Sequence, residues 1–532
     1  MTSLSRRDLM ALAAAVALPP TLASAASKDD PAVWAPRLAD LTLAEASASI
    51  QKGAATSTDL VKALLGRIGA LNPLVNCYIT VMASEALAQA AVLDAELKAG
   101  RSRGPLHGVP IALKDNIDTA GVRTTAASPM FKDRVPAEDA EIVRRLKQAG
   151  AVIIGKLNLH EFAIGCTGDV SYFGPARNPW ALDHVTGGSS SGSGASVAAR
   201  MVYGALGTDT GGSIRVPSAW CGIVGLKPTV GLVSIRGIIP CSADLDHCGP
   251  MARTVEDVAL MLGAMAGYDA DDIFSVESRP EDYLAAMKQP VSGFRLSAPA
   301  SYYDHVDAEI EPVVMAALDQ LARMTAGIAS RAPLWDGPAG GAPGDADFYH
   351  HDLIERYGLD YMAPDKARLA RLAEPGEHGP SAAEDARARQ LLMTARRKID
   401  RVFKDFDLVV VPTTRMAAPR INDGLAREME RAKAKGVEES KVYDFFAADV
   451  GCTNTRAFDA FGIPAISVPC GFTAKGLPVG IMIAGSHFAE GKVLALAHAY
   501  QQATPWRTRT PNLTPQTPVP PIEEKAKGEK ST

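Results

Sequence analysis

The sequence predicts an α/β protein in which a mixed, largely parallel sheet forms one large domain. Two observations carry this. Short unbroken apolar runs alternate with helix-periodic segments from Leu41 through Leu226. Similar apolar runs then resume at Leu408, beyond a weakly patterned stretch, so strands lie on both sides of it. The chain has 532 residues, 47% hydrophobic and 22% charged, which is ample for a large core. No internal repeat is present.

Taken in order, 41–51 and 57–71 have apolar residues at helical spacing, with Ser57 or Thr58 as N-cap. A strand follows at 76–81 and an Ala-rich helix at 84–98, stopped by Gly100. The run Ile111-Ala112-Leu113 is a short strand that delivers Lys114 and Asp115 at its end. An amphipathic helix at 138–148 leads to a buried strand at 151–155. Another helix is expected at 254–265. From about 270 to 400 the pattern weakens, with a strand at 294–298, helices at 310–324 and 382–403, and a Pro/Gly/Ala loop at 337–344. This region reads as a variable insertion that shapes the substrate mouth. The closing elements are strands at 408–413, 465–469 and 479–484, with helices at 440–460 and 490–501. The main domain therefore covers 38–503. Residues 505–532, rich in Pro, Thr, Lys and Glu, form a tail that wraps the surface or stays disordered.

The first 25 residues read separately. Arg6-Arg7 precede an Ala/Leu run from Ala11 to Leu18 and an Ala23-Ser24-Ala25 site. That is the layout of a secretory signal of twin-arginine type, cleaved near Ala25-Ala26, and it predicts a periplasmic or secreted protein. The run is too short to span a bilayer, so no stable membrane insertion is expected. Net charge is −5, and with no basic excess no nucleic-acid partner is expected. Seven scattered cysteines without a C-x-x-C suggest packing rather than a disulfide framework or a zinc site.

The chemistry concentrates between Thr186 and Thr229. Two Gly-Gly-Ser turns, Gly187-Gly188-Ser189 and Gly211-Gly212-Ser213, flank a helix of small residues. A serine hydroxyl attacks only with a base beside it and donors for the developing oxyanion. Backbone N–H groups from Thr210 to Ser213 offer such donors. Lys114 is the candidate base, provided burial or nearby positive charge keeps it neutral, and Ser189 is of a type to relay the proton. Nothing reads as the nucleophile elbow G-x-S-x-G followed by a late catalytic histidine.

These residues resemble the amidase signature family. The matching text includes Gly187-Gly188-Ser189-Ser190, then Gly207-Thr208-Asp209-Thr210-Gly211-Gly212-Ser213-Ile214-Arg215, Gly225-Leu226-Lys227-Pro228-Thr229 and Lys114-Asp115-Asn116. The match extends over most of 40–500 and thins between 270 and 400. The resemblance implies a twisted sheet covered by helices on both faces and a Ser-cisSer-Lys triad. In it Ser213 is the nucleophile, Ser189 the cis-serine and Lys114 the base. Thr210, Gly211, Gly212 and Ser213 supply the oxyanion N–H groups, while Ser190, Asp209 and Arg215 support the site by hydrogen bonding. It implies no cofactor and no metal. Two positions depart from the family pattern. Ser191 stands where a glycine is usual and is read as a cap for the following helix. Gly165-Cys166-Thr167-Gly168-Asp169 replaces a Gly-Ser-Ser/Thr run.

Together these readings lead to an exported amidase that acts on a small-molecule or peptide amide, as a monomer or homodimer, through a seryl acyl-enzyme. The alternatives are a glutamyl/aspartyl-tRNA amidotransferase of the A type, against which the export leader speaks, and a carbamate or ester hydrolase on the same scaffold. A phosphate-binding loop is excluded because no Gly-Lys-Ser/Thr follows the glycines. Asp115 and Asp209 are read as structural ion-pair or capping residues.

Overall fold

A computed structural model describes residues 37–278, 281–335, 344–373, 381–421 and 451–522. In chain order the strands are β1 (Tyr78–Val81), β2 (Pro110–Lys114), β3 (Val152–Leu157), β4 (Arg177–Asn178), β5 (Ala181–Val185), β6 (Gly204–Asp209) and β7 (Val224–Lys227). They continue as β8 (His247–Ala252), β9 (Leu296–Ser297), β10 (Ile328–Ser330), β11 (Leu408–Pro412), β12 (Ala465–Phe472) and β13 (Pro478–Ala484). β4 and β5 form a separate ribbon, and the rest join one mixed sheet of eleven strands in the order β1-β3-β2-β6-β8-β7-β12-β13-β11-β9-β10. β2 lies between β3 and β6, parallel to both. β6, β8, β7, β12 and β13 then pair antiparallel in succession. Every residue of β2, β3 and β6 is buried. That is why, apart from Lys114, Lys156 and Thr208-Asp209, their sequences are apolar or small without alternation.

Helices flank this sheet, and several start with the same local chemistry. Leu43–Gln51, Ser57–Val75 and Val255–Met265 each begin at a threonine whose hydroxyl accepts from the third helical N–H, while that third residue's carboxylate accepts from the threonine N–H. The expected cap at Ser57 or Thr58 is corrected to Thr56. Ser57 and Thr58 instead donate their N–H groups to Asp94, which ties this helix to Ala83–Lys98.

The 270–400 region is more regular than its sequence suggests. It holds helices Glu311–Met324, Asp345–Tyr357, Ala363–Leu369 and Ala382–Ile399. The last differs from the expected end at 403, because it tightens into a 3₁₀ turn at Asp400–Lys404. β9 and β10 extend the sheet edge, parallel to β11. Of the helix expected at 440–460, Arg456–Phe461 is described, and 440–450 lies outside the described residues. The tail lies on the surface as far as 522, where Arg177 donates to the Pro520 carbonyl at 2.9 Å. Residues 1–36, including the expected export leader, lie outside the described residues. Among the described residues no helix is long and apolar enough to cross a membrane.

Gly155 on β3 makes a sharp test of the β1–β3 contact. A Cβ there would stand 2.6 Å from the Thr80 carbonyl oxygen and 2.8 Å from the Tyr78 ring. Gly155→Ala is expected to destabilise the fold by about 1–3 kcal/mol through overpacking, read as a lower denaturant midpoint with an unchanged slope.

Candidate functional site

Two parallel strands deliver the polar residues of the site to the same edge. β2 ends in Lys114 and β6 ends in Thr208-Asp209, with Leu113 opposite Leu206. Beyond β6 the chain turns through Thr210–Ser213 into the helix Arg215–Cys221. The other serine turn leads into the helix Ser191–Ala198, which packs against this one.

Lys114 Nζ lies 2.7 Å from Ser189 Oγ, 2.7 Å from Thr208 Oγ1 and 3.5 Å from the Thr208 carbonyl. Asn116 Nδ2 also donates to Thr208 Oγ1, at 3.3 Å. Burial pushes the Lys114 pKa down to about 7, against the pull of Cys241, Asp246 and Asp209. The Gly188–Ser189 peptide is cis. Its surroundings are closely fitted: the Ser189 carbonyl accepts from His160 N at 3.0 Å and Ser191 N at 2.9 Å, and Gly188 N donates to the Cys166 carbonyl at 2.7 Å. A Cβ at Gly188 would stand 2.7 Å from Gly168 N.

Ser190 joins the two turns. Its N–H donates to the Ser213 carbonyl at 3.3 Å, and its hydroxyl donates to the Thr208 carbonyl at 3.2 Å and accepts from Thr208 N at 3.3 Å. Lys114 and Ser189 are 0% exposed and Ser213 is 6% exposed, so of the three only Ser213 opens toward solvent.

Asp209 shapes the second turn. Its carboxylate accepts from Gly212 N (2.5 Å), Ile214 N (3.0 Å), Arg215 Nε (2.9 Å) and Arg215 Nη2 (2.9 Å). Burial opposes its charge, but the Arg215 guanidinium and these donors hold its pKa well below the usual carboxylate range. Arg215 reaches further, to Asp459 Oδ2 at 2.5 Å and the Thr455 carbonyl at 2.9 Å. Thr455 Oγ1 in turn donates to the Gly211 carbonyl at 2.6 Å. The structural reading of Asp115 has a partner as well, the buried Lys156 at 3.1 Å.

Two expectations need correction. The expected set of four oxyanion donors includes Gly212, but its N–H is directed at Asp209 Oδ1. The N–H groups of Thr210, Gly211 and Ser213 meet no acceptor among the described residues. Nor does Ser191 cap its helix. The N-cap is Ser190, no side-chain cap bond forms, and Ser191 Oγ is buried without a hydrogen-bond partner among the described residues. Sequence reasoning also missed Thr208 as a partner of Lys114, and Thr455 and Asp459 as partners of the Ser213 turn. Asp459 lies 244 residues from Arg215, and no local motif points to it.

The sequence model of the family described as Amidase matches residues 59–333 and 364–494. The A-type subunit of glutamyl-tRNA(Gln) amidotransferase from Methylococcus capsulatus is 39% identical over 88% of this chain and 98% of its own length. Its counterpart from Roseiflexus sp. is 38% identical over 90% of this chain and 99% of its own. Among solved structures, 6-aminohexanoate cyclic dimer hydrolase superposes with a TM-score of 0.77 at 27% identity, covering 89% of this chain and 99% of its own. The two amidotransferase subunits overturn the expectation of an exported amidase: each is similar over nearly its whole length and carries the name of a tRNA-directed amidotransferase. They also tell against the expectation of no nucleic-acid partner.

The buried cation at the centre of this site gives a stability test. Arg215→Ala would leave Asp209 and Asp459 facing each other without it. The expected cost is about 3–5 kcal/mol, as for breaking a buried ion pair from one side, measured by denaturant unfolding. Arg215→Lys is expected to recover only part of it, since an ammonium lacks the planar fork that spans both carboxylates.

Proposed function

The chain belongs to the amidase family and acts on amide C–N bonds, and from that premise we propose that it is the amide-splitting component of a glutamyl-tRNA(Gln) amidotransferase. In this reading Ser213 Oγ attacks the carbonyl carbon of a primary carboxamide such as the side chain of glutamine. Its proton passes to Ser189 as Ser189 passes its own to neutral Lys114. The tetrahedral oxyanion is met by the N–H groups of Thr210, Gly211 and Ser213. The relay then returns a proton to the departing nitrogen, which leaves as ammonia. Water attacks the acyl-enzyme along the same path and releases the carboxylate. The ammonia passes to a partner protein that holds the charged tRNA.

The observation that carries the chemistry is the 2.7 Å contact between a fully buried Lys114 and Ser189 Oγ. A lysine in water is protonated at neutral pH and is no base; this one has its pKa lowered to about 7 by burial. An N–H directed at Thr208 Oγ1 leaves the nitrogen lone pair free to face Ser189. What supports the amidotransferase assignment is the 36–39% identity to such proteins over 88–90% of the chain.

The decisive experiment follows the nitrogen. The chain is combined with its partner proteins, glutamyl-tRNA(Gln) and glutamine labelled with ¹⁵N in the amide. The expected result is label in the glutaminyl-tRNA, lost with Ser213→Ala. Hydrolysis of carboxamides that needs no partner and transfers no label would overturn the assignment. The base is tested by pH. Only neutral Lys114 accepts a proton, so the single-turnover rate is expected to fall tenfold per pH unit below about 7 and to level off above it. Lys114→Ala is expected to lower the rate by about 10²–10⁴-fold. A profile flat down to about pH 5 would exclude a lysine base.

A further inference from the structure

Cys166 and Cys452 come together from distant parts of the chain. They share one buried apolar cluster with Val216, Ala219 and Trp220. A Cβ on Gly451 would stand 3.3 Å from Cys166 Sγ, so that sulfur lies against the backbone next to Cys452. The neighbouring thiol is the largest influence on each: Cys452 lowers the Cys166 pKa, and Cys166, with burial, raises that of Cys452.

Each cysteine is also one hydrogen bond from a serine turn. The Cys166 carbonyl accepts from Gly188 N at 2.7 Å. The Cys452 carbonyl accepts from Thr455 Oγ1 at 3.1 Å, and that hydroxyl also donates to the Gly211 carbonyl at 2.6 Å. Any change in the distance between the two sulfurs is thus felt at both turns. Neither cysteine takes part in the proton relay.

We propose that Cys166 and Cys452 form a redox modification site, which a hydroperoxide oxidises to a disulfide that reversibly slows acylation of Ser213. The Cys166 thiolate attacks the terminal oxygen of the hydroperoxide. An S–O bond forms, the O–O bond breaks, and the departing oxygen leaves as water or an alcohol after taking up a proton. The Cys452 thiol then gives up its proton and attacks the Cys166 sulfur. The S–S bond forms, the S–O bond breaks, and hydroxide leaves with that proton as water. Two electrons pass from the thiols to the hydroperoxide. A disulfide requires an S–S separation of about 2.05 Å. Closing to it draws the 165–169 loop and the 451–455 segment together, and so shifts Gly188 and Gly211.

The effect at Ser213 rests on the nucleophile assignment above, whereas the disulfide does not. The full chain is treated with hydrogen peroxide, free thiols are alkylated, and peptides are mapped without reduction. In parallel, the rate of Ser213 labelling by a fluorophosphonate is measured. The expected result is a linked Cys166–Cys452 peptide, labelling slowed at least tenfold, and recovery with dithiothreitol. Cys452→Ser and Cys452→Ala are each expected to label normally before peroxide and to form no link after it. Thiols at 166 and 452 that stay alkylatable while the partly exposed Cys241 is oxidised would overturn the proposal. So would a link that leaves labelling unchanged. A Ser213 that fails to label even in reduced protein would instead refute the nucleophile assignment.

Discussion

A guanidinium without access to solvent, held between two carboxylates, is the interaction on which the candidate site depends. Arg215 binds Asp209 through two nitrogens, Asp459 through one and the Thr455 carbonyl through another. Removing three charges from water is costly, and such a cluster survives only when nearly every donor meets an acceptor. The two carboxylates divide accordingly. Asp209, with backbone N–H groups as well as Arg215, is held strongly acidic, whereas burial pushes Asp459 up. The gain is geometric. With Gly212 and Ile214 tied to Asp209, the chain between β6 and the following helix has one shape, and Ser213 sits within it.

The sheet is readable in the sequence because its strands are buried on both faces and so show as unbroken apolar runs. β2, β3, β11 and β13 are of this kind. A polar residue at the end of such a strand stands out, which is what singles out Lys114, whereas Asp209 is marked only by the family resemblance of the run around Ser213. The contacts that complete the site are not readable, because they join segments distant in sequence. Asp459 belongs to, and Thr455 immediately precedes, the short helix Arg456–Phe461, whose sequence is unremarkable for a core element. Gly212 fails as a donor for a related reason: its N–H has two candidate acceptors, and only the position of the Asp209 side chain decides between them. Ser191 fails because propensity favours a capping role at a helix start, whereas Ser190 occupies that position and bonds to β6.

Net charge is a poor guide to partners here. A value of −5 sums only this chain's own charged residues. It says nothing of a nucleic acid held by another protein, to which this chain would deliver only a small neutral molecule. The expectation of export rests on the first 25 residues alone, whereas 499 aligned residues carry the likeness to the amidotransferase subunits.

Gly188 and the 165–169 loop carry a consequence for altering this enzyme. The loop backbone lies so close to Gly188 that no side chain fits between them, and the Cys166 carbonyl is itself the acceptor for Gly188 N. The 165–169 loop and the proton relay are therefore one mechanical part. A graft that imports a foreign loop to broaden the substrate range would have to bring its matching serine turn with it. Directed evolution confined to the loop would meet losses in turnover before it met gains in selectivity.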